Sequence, residues 1–321
     1  MRIGKMAKLV CAILAVAAIV MATQACAAQD WAKTMLAKSP RHGEYVVIKE
    51  ASGRNLQAFV VYPEVKEKAP VIVLIHEIFG ESDWFKEMAD ELAGAGYIVV
   101  APDLLSGFGP PPTAAMMEMQ GQKPMLMNVA MNMDDQQMDH SHMQMPGAGG
   151  AAYVPMNPGG TSAFPDQPSV TKAVSSLPDA QVLTDLDAAA DYGKKLPAAN
   201  GKLFVAGFCW GGGKSFLFAT HRHDLSAAFV FYGPPPPTDA MKNITAPVYG
   251  FYAGNDARID ATIPQATADM KAAGKKYEPV TYDGAGHGFM RAGQAPDANA
   301  ANTAAWNEGF RRLVSLLGGV R

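Results

Sequence analysis

Gly207-Phe208-Cys209-Trp210-Gly211-Gly212 is the stretch that decides the fold. It follows a short apolar run, Lys202 to Ala206, and leads into a helix-compatible run, Gly213 to Ala219. Strand, sharp turn and helix in that order are the setting of a Gly-x-nucleophile-x-Gly elbow. Small residues flank its centre because the turn is tight and larger side chains would strike the neighbouring strand and helix. The turn lifts one side chain above the sheet. Here that side chain is the thiol of Cys209, so a cysteine nucleophile is the first expectation.

Working outward, Glu44 to Lys49 and Leu56 to Tyr62 alternate as half-buried antiparallel strands do. Pro70 to Ile75 is a continuous apolar run, the mark of a strand covered on both faces, and Tyr97 to Ala101 is a second. Helical spacing predicts helices over Asp83 to Ala95, Asp179 to Leu196, Pro264 to Ala273 and about Ala301 to Leu317. In the helix from Asp179, the apolar face is expected to carry Leu183, Leu186, Ala190 and Leu196. Strands follow the elbow at Ala227 to Phe231, Val248 to Ala253 and Glu278 to Tyr282. Strands alternating with helices predict a mostly parallel, doubly wound sheet with flanking helices, and the nucleophile elbow within it points to an α/β-hydrolase fold.

The first 27 residues look like an export signal. Arg2, Lys5 and Lys8 form a basic start, Leu9 to Met21 is apolar but short for a membrane span, and Ala25-Cys26-Ala27 supplies a cleavage site. A mature chain beginning near Ala28 is expected, exported to the periplasm and with no stable membrane span. Acylation of Cys26 as a lipoprotein is the less favoured reading, since Gln24 suits that site poorly. Cleavage removes Cys11 and Cys26 and leaves Cys209 as the one thiol, so no internal disulfide is available. It also removes three positive charges, taking the net charge from −3 to −6. No basic run remains, which disfavours nucleic acid and anionic lipid as partners. Residues 28–321 suit a single α/β domain.

A thiol nucleophile needs a base, and the base needs an acid to orient it. His287, in the glycine loop Gly284-Ala285-Gly286-His287-Gly288-Phe289, is the candidate base, and Asp256, in Ala253-Gly254-Asn255-Asp256, the candidate acid. The chain order Cys209, Asp256, His287 is the α/β-hydrolase order, and each follows the end of a strand, so all three converge on one sheet edge. Thiolate attack on an acyl carbon would build a tetrahedral oxyanion and then an acyl-enzyme. One oxyanion donor is expected from the N–H of Trp210 and the other from the loop His76-Glu77-Ile78-Phe79-Gly80. The triad implies no cofactor and no metal.

These stretches, with Pro102-Asp103-Leu104, together resemble the dienelactone hydrolase family, the carboxymethylenebutenolidases, from about Glu44 to Leu317. The resemblance implies hydrolysis of small ester or lactone substrates. It implies that Glu77 pairs with the cysteine and helps to generate the thiolate, and that Ile78 supplies the second oxyanion N–H. It implies that Arg291, four residues beyond His287, binds a substrate carboxylate and that Tyr232 occupies a pocket position. The family's other carboxylate-binding arginine, shortly after Pro-Asp-Leu, has no counterpart in Leu105-Ser106-Gly107-Phe108.

Ser106 to Ser176 breaks the rhythm, being rich in Met, Pro, Gly and Ala with little periodicity. The methionines between Met116 and Met145, beside His140 and His142, offer thioether and imidazole donors suited to copper. The same residues suit an adaptable apolar lid. The alternative to a hydrolase is therefore a non-catalytic scaffold of the same shape that binds copper through this insertion.

Overall fold

The computed structural model describes residues 29–50, 52–110 and 154–319, with the backbone alone at 154–158. The signal-like segment, its two cysteines and the run from Met116 to Met145 lie outside the described residues, and with them the copper expectation.

Ten strands are present among the described residues. They are β1 (Gly43–Lys49), β2 (Asn55–Val61), β3 (Ala69–Ile75), β4 (Ile98–Pro102), β5 (Ser106–Gly109), β6 (Val154–Gly159), β7 (Ala199–Phe208), β8 (Ala227–Phe231), β9 (Val248–Asn255) and β10 (Tyr277–Gly286). Eight form one sheet in the order β1-β2-β4-β3-β7-β8-β9-β10. Only the β1–β2 and β2–β4 pairings are antiparallel; every pairing from β4 to β10 is parallel. The α/β-hydrolase architecture expected from the sequence is the one observed.

The helices are α1 (Asp30–Lys38), α2 (Asp83–Gly94), α3 (Gln167–Ser175), α4 (Asp179–Lys195), α5 (Trp210–His221), α6 (Thr238–Met241), α7 (Ala257–Asp260), α8 (Ile263–Ala272), α9 (Phe289–Ala292) and α10 (Ala300–Gly319). Strand periodicity sorts the core into two layers. On β3, Val71, Val73 and Ile75 face α4, α5 and α8, whereas Ile72 and Leu74 face α1, α2 and α10. Helices cover both faces, which is why β3 and β4 are apolar at every position. Each such Val, Leu or Ile contributes about 1.5–3 kcal/mol by leaving water.

Two expectations change. The buried stripe of α4 is Val182, Asp185, Leu186, Ala189, Ala190 and Gly193, with Leu183 and Leu196 half-exposed at its margin. Asp185 takes a core position because Arg54 crosses to it, while Gln181 donates to it over 2.7 Å. Leu-based periodicity could not anticipate a buried carboxylate with a partner 131 residues away.

The aperiodic insertion is folded at both ends. β5 pairs with β6 in a separate two-stranded sheet, and α3 follows a short 3-10 turn at Thr161–Ala163. Asp166 caps α3 by accepting from the N–H of Ser169 over 2.8 Å, and Pro168 sits in its first turn. Val170, Ala173 and Val174 bury against Leu105 and Phe164. Nine residues with one short apolar face are too few for periodicity to reveal, although Asp166 and Pro168 are a legible start signal.

Candidate active site

Cys209 sits between β7 and α5 with φ 55° and ψ −116°. The elbow is tight: a Cβ at Gly207 would strike the carbonyl of Gly211, and a Cβ at Gly211 the carbonyl of His76. Strand β7 is central in the sheet, so the thiol stands at the carboxyl edge of the parallel strands, where ligand sites of such sheets lie.

His287 follows β10, and its Nε2 lies 3.0 Å from Cys209 Sγ. Its Nδ1 lies 2.5 Å from Oδ2 of Asp256, the residue between β9 and α7. The three residues expected to form a triad therefore meet in the expected order. The ring of Tyr232 packs edge-on to the imidazole, centroids 5.1 Å apart.

The backbone N–H groups of Trp210 and Ile78 act on the sulfur, each favouring its charged form. Both expected oxyanion donors thus converge on the nucleophile, one of them at the N-terminus of α5, where the helix dipole favours negative charge. Burial, and after it the charge of Glu77, push the thiol up to about 11, while those two N–H groups and the charge of Arg258 act in the opposite sense.

Glu77 is almost fully buried. Its Oε2 accepts from Nε of Arg291 over 2.9 Å, and its Oε1 faces the Tyr232 hydroxyl at 3.4 Å. Among the described residues no hydrogen bond joins Glu77 to Cys209. Arg291 also stacks its guanidinium over Phe79, 4.9 Å from the ring centroid. The cation expected to await a substrate carboxylate is thus engaged with an internal one. Tyr232 is wholly buried and reaches the site through its hydroxyl and ring face, with its own pKa driven upward by burial and by Glu77.

A pocket of about 440 Å³ opens here, walled by Glu77, Ile78, Phe79, Cys209, Trp210, Tyr232, Pro234, Arg258, His287 and Arg291. All eight residues expected to serve substrate or chemistry belong to it except Asp256, which stands behind His287. Sequence reading missed Arg258. Its signal was its place: two residues past Asp256, in the short helix α7 that follows a parallel strand at the ligand-bearing edge. Among the described residues it has no ion-pair partner, so it is the pocket's uncompensated positive charge. Reading also missed the folded return of the insertion. Thr161 accepts from the N–H of Glu81 over 3.0 Å and donates to Asp103 over 2.9 Å, and Gly80, at φ 69°, leaves space that a Cβ would take from Thr161 at 2.5 Å. The returning chain thereby braces the loop that carries Ile78.

Among the described residues no cluster of three or more His, Cys, Asp or Glu is arranged to hold a metal. No helix among them is long and apolar enough to cross a membrane.

The chain matches the dienelactone hydrolase family over residues 56–318. It is 30% identical over 246 residues to a provisionally named carboxymethylenebutenolidase of Methylorubrum extorquens, covering 73% of this chain and 68% of that one. It is 27% identical over 281 residues to a protein of the same provisional name in Salmonella typhi, covering 82% and 83%. The crystal structure of a provisionally named dienelactone hydrolase from Klebsiella pneumoniae superposes with TM-score 0.61 at 25% identity, covering 86% of this chain and 97% of that one.

Proposed function

This chain belongs to the dienelactone hydrolase family, and from that premise we propose that it is a cysteine hydrolase of small esters or lactones working through an acyl-enzyme. The observation that carries the proposal is the relay from Cys209 Sγ to His287 Nε2 at 3.0 Å and from His287 Nδ1 to Asp256 at 2.5 Å.

The steps follow from the relay. His287 Nε2 takes the thiol proton as Sγ forms a bond to the acyl carbon, and the carbonyl π pair becomes an oxyanion received by the N–H groups of Trp210 and Ile78. The oxyanion collapses, the C–O bond to the leaving group breaks, and the departing oxygen takes the proton from His287. In a lactone that oxygen stays tethered to the acyl chain. Water then attacks the thioester carbon, giving its proton to His287; the second oxyanion collapses, the C–S bond breaks, the sulfur takes the proton back from His287, and the carboxylic acid leaves. Asp256 fixes the imidazole orientation and stabilises its cationic form. Glu77 serves as the activator that the family implies, which requires it to leave Arg291 and approach the sulfur when substrate enters. Arg258 and a released Arg291 supply positive charge for an acidic substrate group.

Cys209→Ala and His287→Ala are each expected to lower p-nitrophenyl acetate hydrolysis by at least about a thousandfold while keeping the wild-type melting temperature. Full activity in either variant refutes the proposal.

A further inference from the structure

His76 opens the loop that carries Glu77 and Ile78, and it is completely buried. Its Nδ1 lies 2.8 Å from the carbonyl oxygen of Glu77, and its Nε2 lies 3.4 Å from the backbone N of Leu104. A carbonyl only accepts and a backbone N–H only donates, so Nδ1 carries the proton and Nε2 is the acceptor. Burial acts in the same direction, lowering the pKa of this imidazole and holding it neutral.

The carbonyl that His76 grips belongs to the same peptide unit as the N–H of Ile78. In a trans peptide the two groups point to opposite sides of one plane. Fixing the Glu77 oxygen on the imidazole therefore fixes the direction of the Ile78 N–H, which is the one directed at Cys209 Sγ. The Gly80 N–H also donates to that oxygen over 3.1 Å, so two donors hold the plane. The imidazole has a second contact with the site. It stacks on the indole of Trp210, centroids 5.6 Å apart and planes 12° apart, and Trp210 provides the other N–H on the sulfur. Phe85 packs edge-on with the same imidazole, centroids 5.8 Å apart. His76 thus bears on the Glu77–Ile78 peptide through the Glu77 carbonyl and on Trp210 through its ring, and does not line the pocket itself.

We propose that His76 is a positioning residue that sets the oxyanion hole, holding the Glu77–Ile78 peptide plane through Nδ1 and the Trp210 ring through its face. The inference rests on the hydrolase reading above for its catalytic consequence, and on the two hydrogen bonds to the Glu77 carbonyl for the fixing of the Glu77–Ile78 peptide plane. It gives the buried histidine a task distinct from proton transfer: Nε2 is committed to Leu104, so this imidazole cannot relay a proton to the thiol without breaking that bond.

The test compares three substitutions. His76→Asn would place an amide N–H where Nδ1 stands, whereas His76→Gln would carry its amide to the depth of Nε2, and His76→Phe keeps a ring but neither nitrogen. His76→Phe and His76→Gln are expected to lower kcat for p-nitrophenyl acetate by about 10- to 100-fold, with KM changed less than about threefold. His76→Asn is expected to restore kcat to within about threefold of wild type. Melting curves separate this pattern from unfolding. A second readout does not depend on turnover. The pH profile of Cys209 alkylation by iodoacetamide should move to higher pH in His76→Phe, which loses the aimed N–H on sulfur, and return in His76→Asn. Wild-type kcat in His76→Phe, or a loss in His76→Asn equal to that in His76→Phe, overturns the proposal. A wild-type protein that alkylates with this profile yet hydrolyses no ester in a broad panel would remove the hydrolase reading and leave the positioning role standing.

Discussion

Consider the ionisation of Cys209. Its thiol is pushed up to about 11 from an ordinary 9.0, first by burial and then by Glu77. At pH 8 the thiolate fraction is then about a hundredfold lower than for an unshifted thiol. A thiolate of higher pKa is also the better nucleophile. With a Brønsted slope of about 0.4–0.5, two pH units return roughly six- to tenfold. Iodoacetamide should therefore alkylate Cys209 about tenfold more slowly at pH 8 than an unshifted thiol, and the rate should climb about tenfold per pH unit from pH 6 to 10. Glu77→Gln removes the second cause. Its variant should react faster than wild type below pH 10, and its profile should level off at lower pH. The assay is pseudo-first-order labelling followed by intact mass. A wild-type rate that is flat from pH 6 to 9 refutes the reasoning, because it means that a thiolate–imidazolium pair with His287 already exists at rest. A slower Glu77→Gln variant refutes the electrostatic part specifically and makes the carboxylate the group that draws off the proton.

Two further perturbations test the surroundings. Arg258→Gln should lower the ratio of kcat/KM for the anionic ester mono-4-nitrophenyl succinate to that for neutral 4-nitrophenyl acetate by about tenfold, since the Glu77–Arg291 pair cancels and Arg258 does not; an unchanged ratio would dismiss Arg258 as an anchor. Glu81, pushed up to about 8 by burial and then by Asp103, favours folding in its protonated form, so its contribution is full below the ordinary carboxylate pKa and is lost as pH rises through 8. The unfolding free energy from urea titrations should therefore fall between about pH 5 and 9, by on the order of 2–4 kcal/mol, and Glu81→Gln should flatten that fall; parallel pH curves for the two proteins would contradict it.

What the sequence made legible was whatever rests on short-range pattern. The β3 and β4 runs are apolar at each position because helices cover both faces, and the elbow glycines announce the turn at Cys209. The order of Cys209, Asp256 and His287 was legible for the same reason, each residue closing a recognisable strand. What stayed hidden depends on partners far apart in the chain. Asp185 stands outside the apolar set expected for its helix, and only the position of Arg54 explains its burial. The engagement of Arg291 with Glu77 spans 214 residues. Thr161 bracing Glu81 across 80 residues converts an insertion that looked shapeless into support for the oxyanion loop. No local pattern carries such information, because the energy of each pairing is decided by where the sheet brings the chain back.

Sheet register also explains how the nucleophile stays presented. Among the described residues, Cys209 and Tyr232 are the two non-glycine positions with positive φ, 55° and 39°. Such backbone costs on the order of 1–2 kcal/mol at each residue carrying a Cβ. Both residues leave adjacent parallel strands, β7 and β8, and each continues its ladder by one bond. The Cys209 N–H donates to Phe231 over 3.0 Å and the Tyr232 N–H to Phe251 over 2.8 Å. Relaxing either dihedral would break that bond inside a buried sheet, where an unmet donor costs about as much as the strain itself. The two strained residues are thus held by the same device and turned toward the same place. One aims its sulfur at His287; the other lays its ring against that imidazole and its hydroxyl toward Glu77. The way Cys209 and Tyr232 are presented is therefore a property of the β7–β8–β9 register more than of the turns that carry them, and a substitution that shifts this register must disturb both residues together.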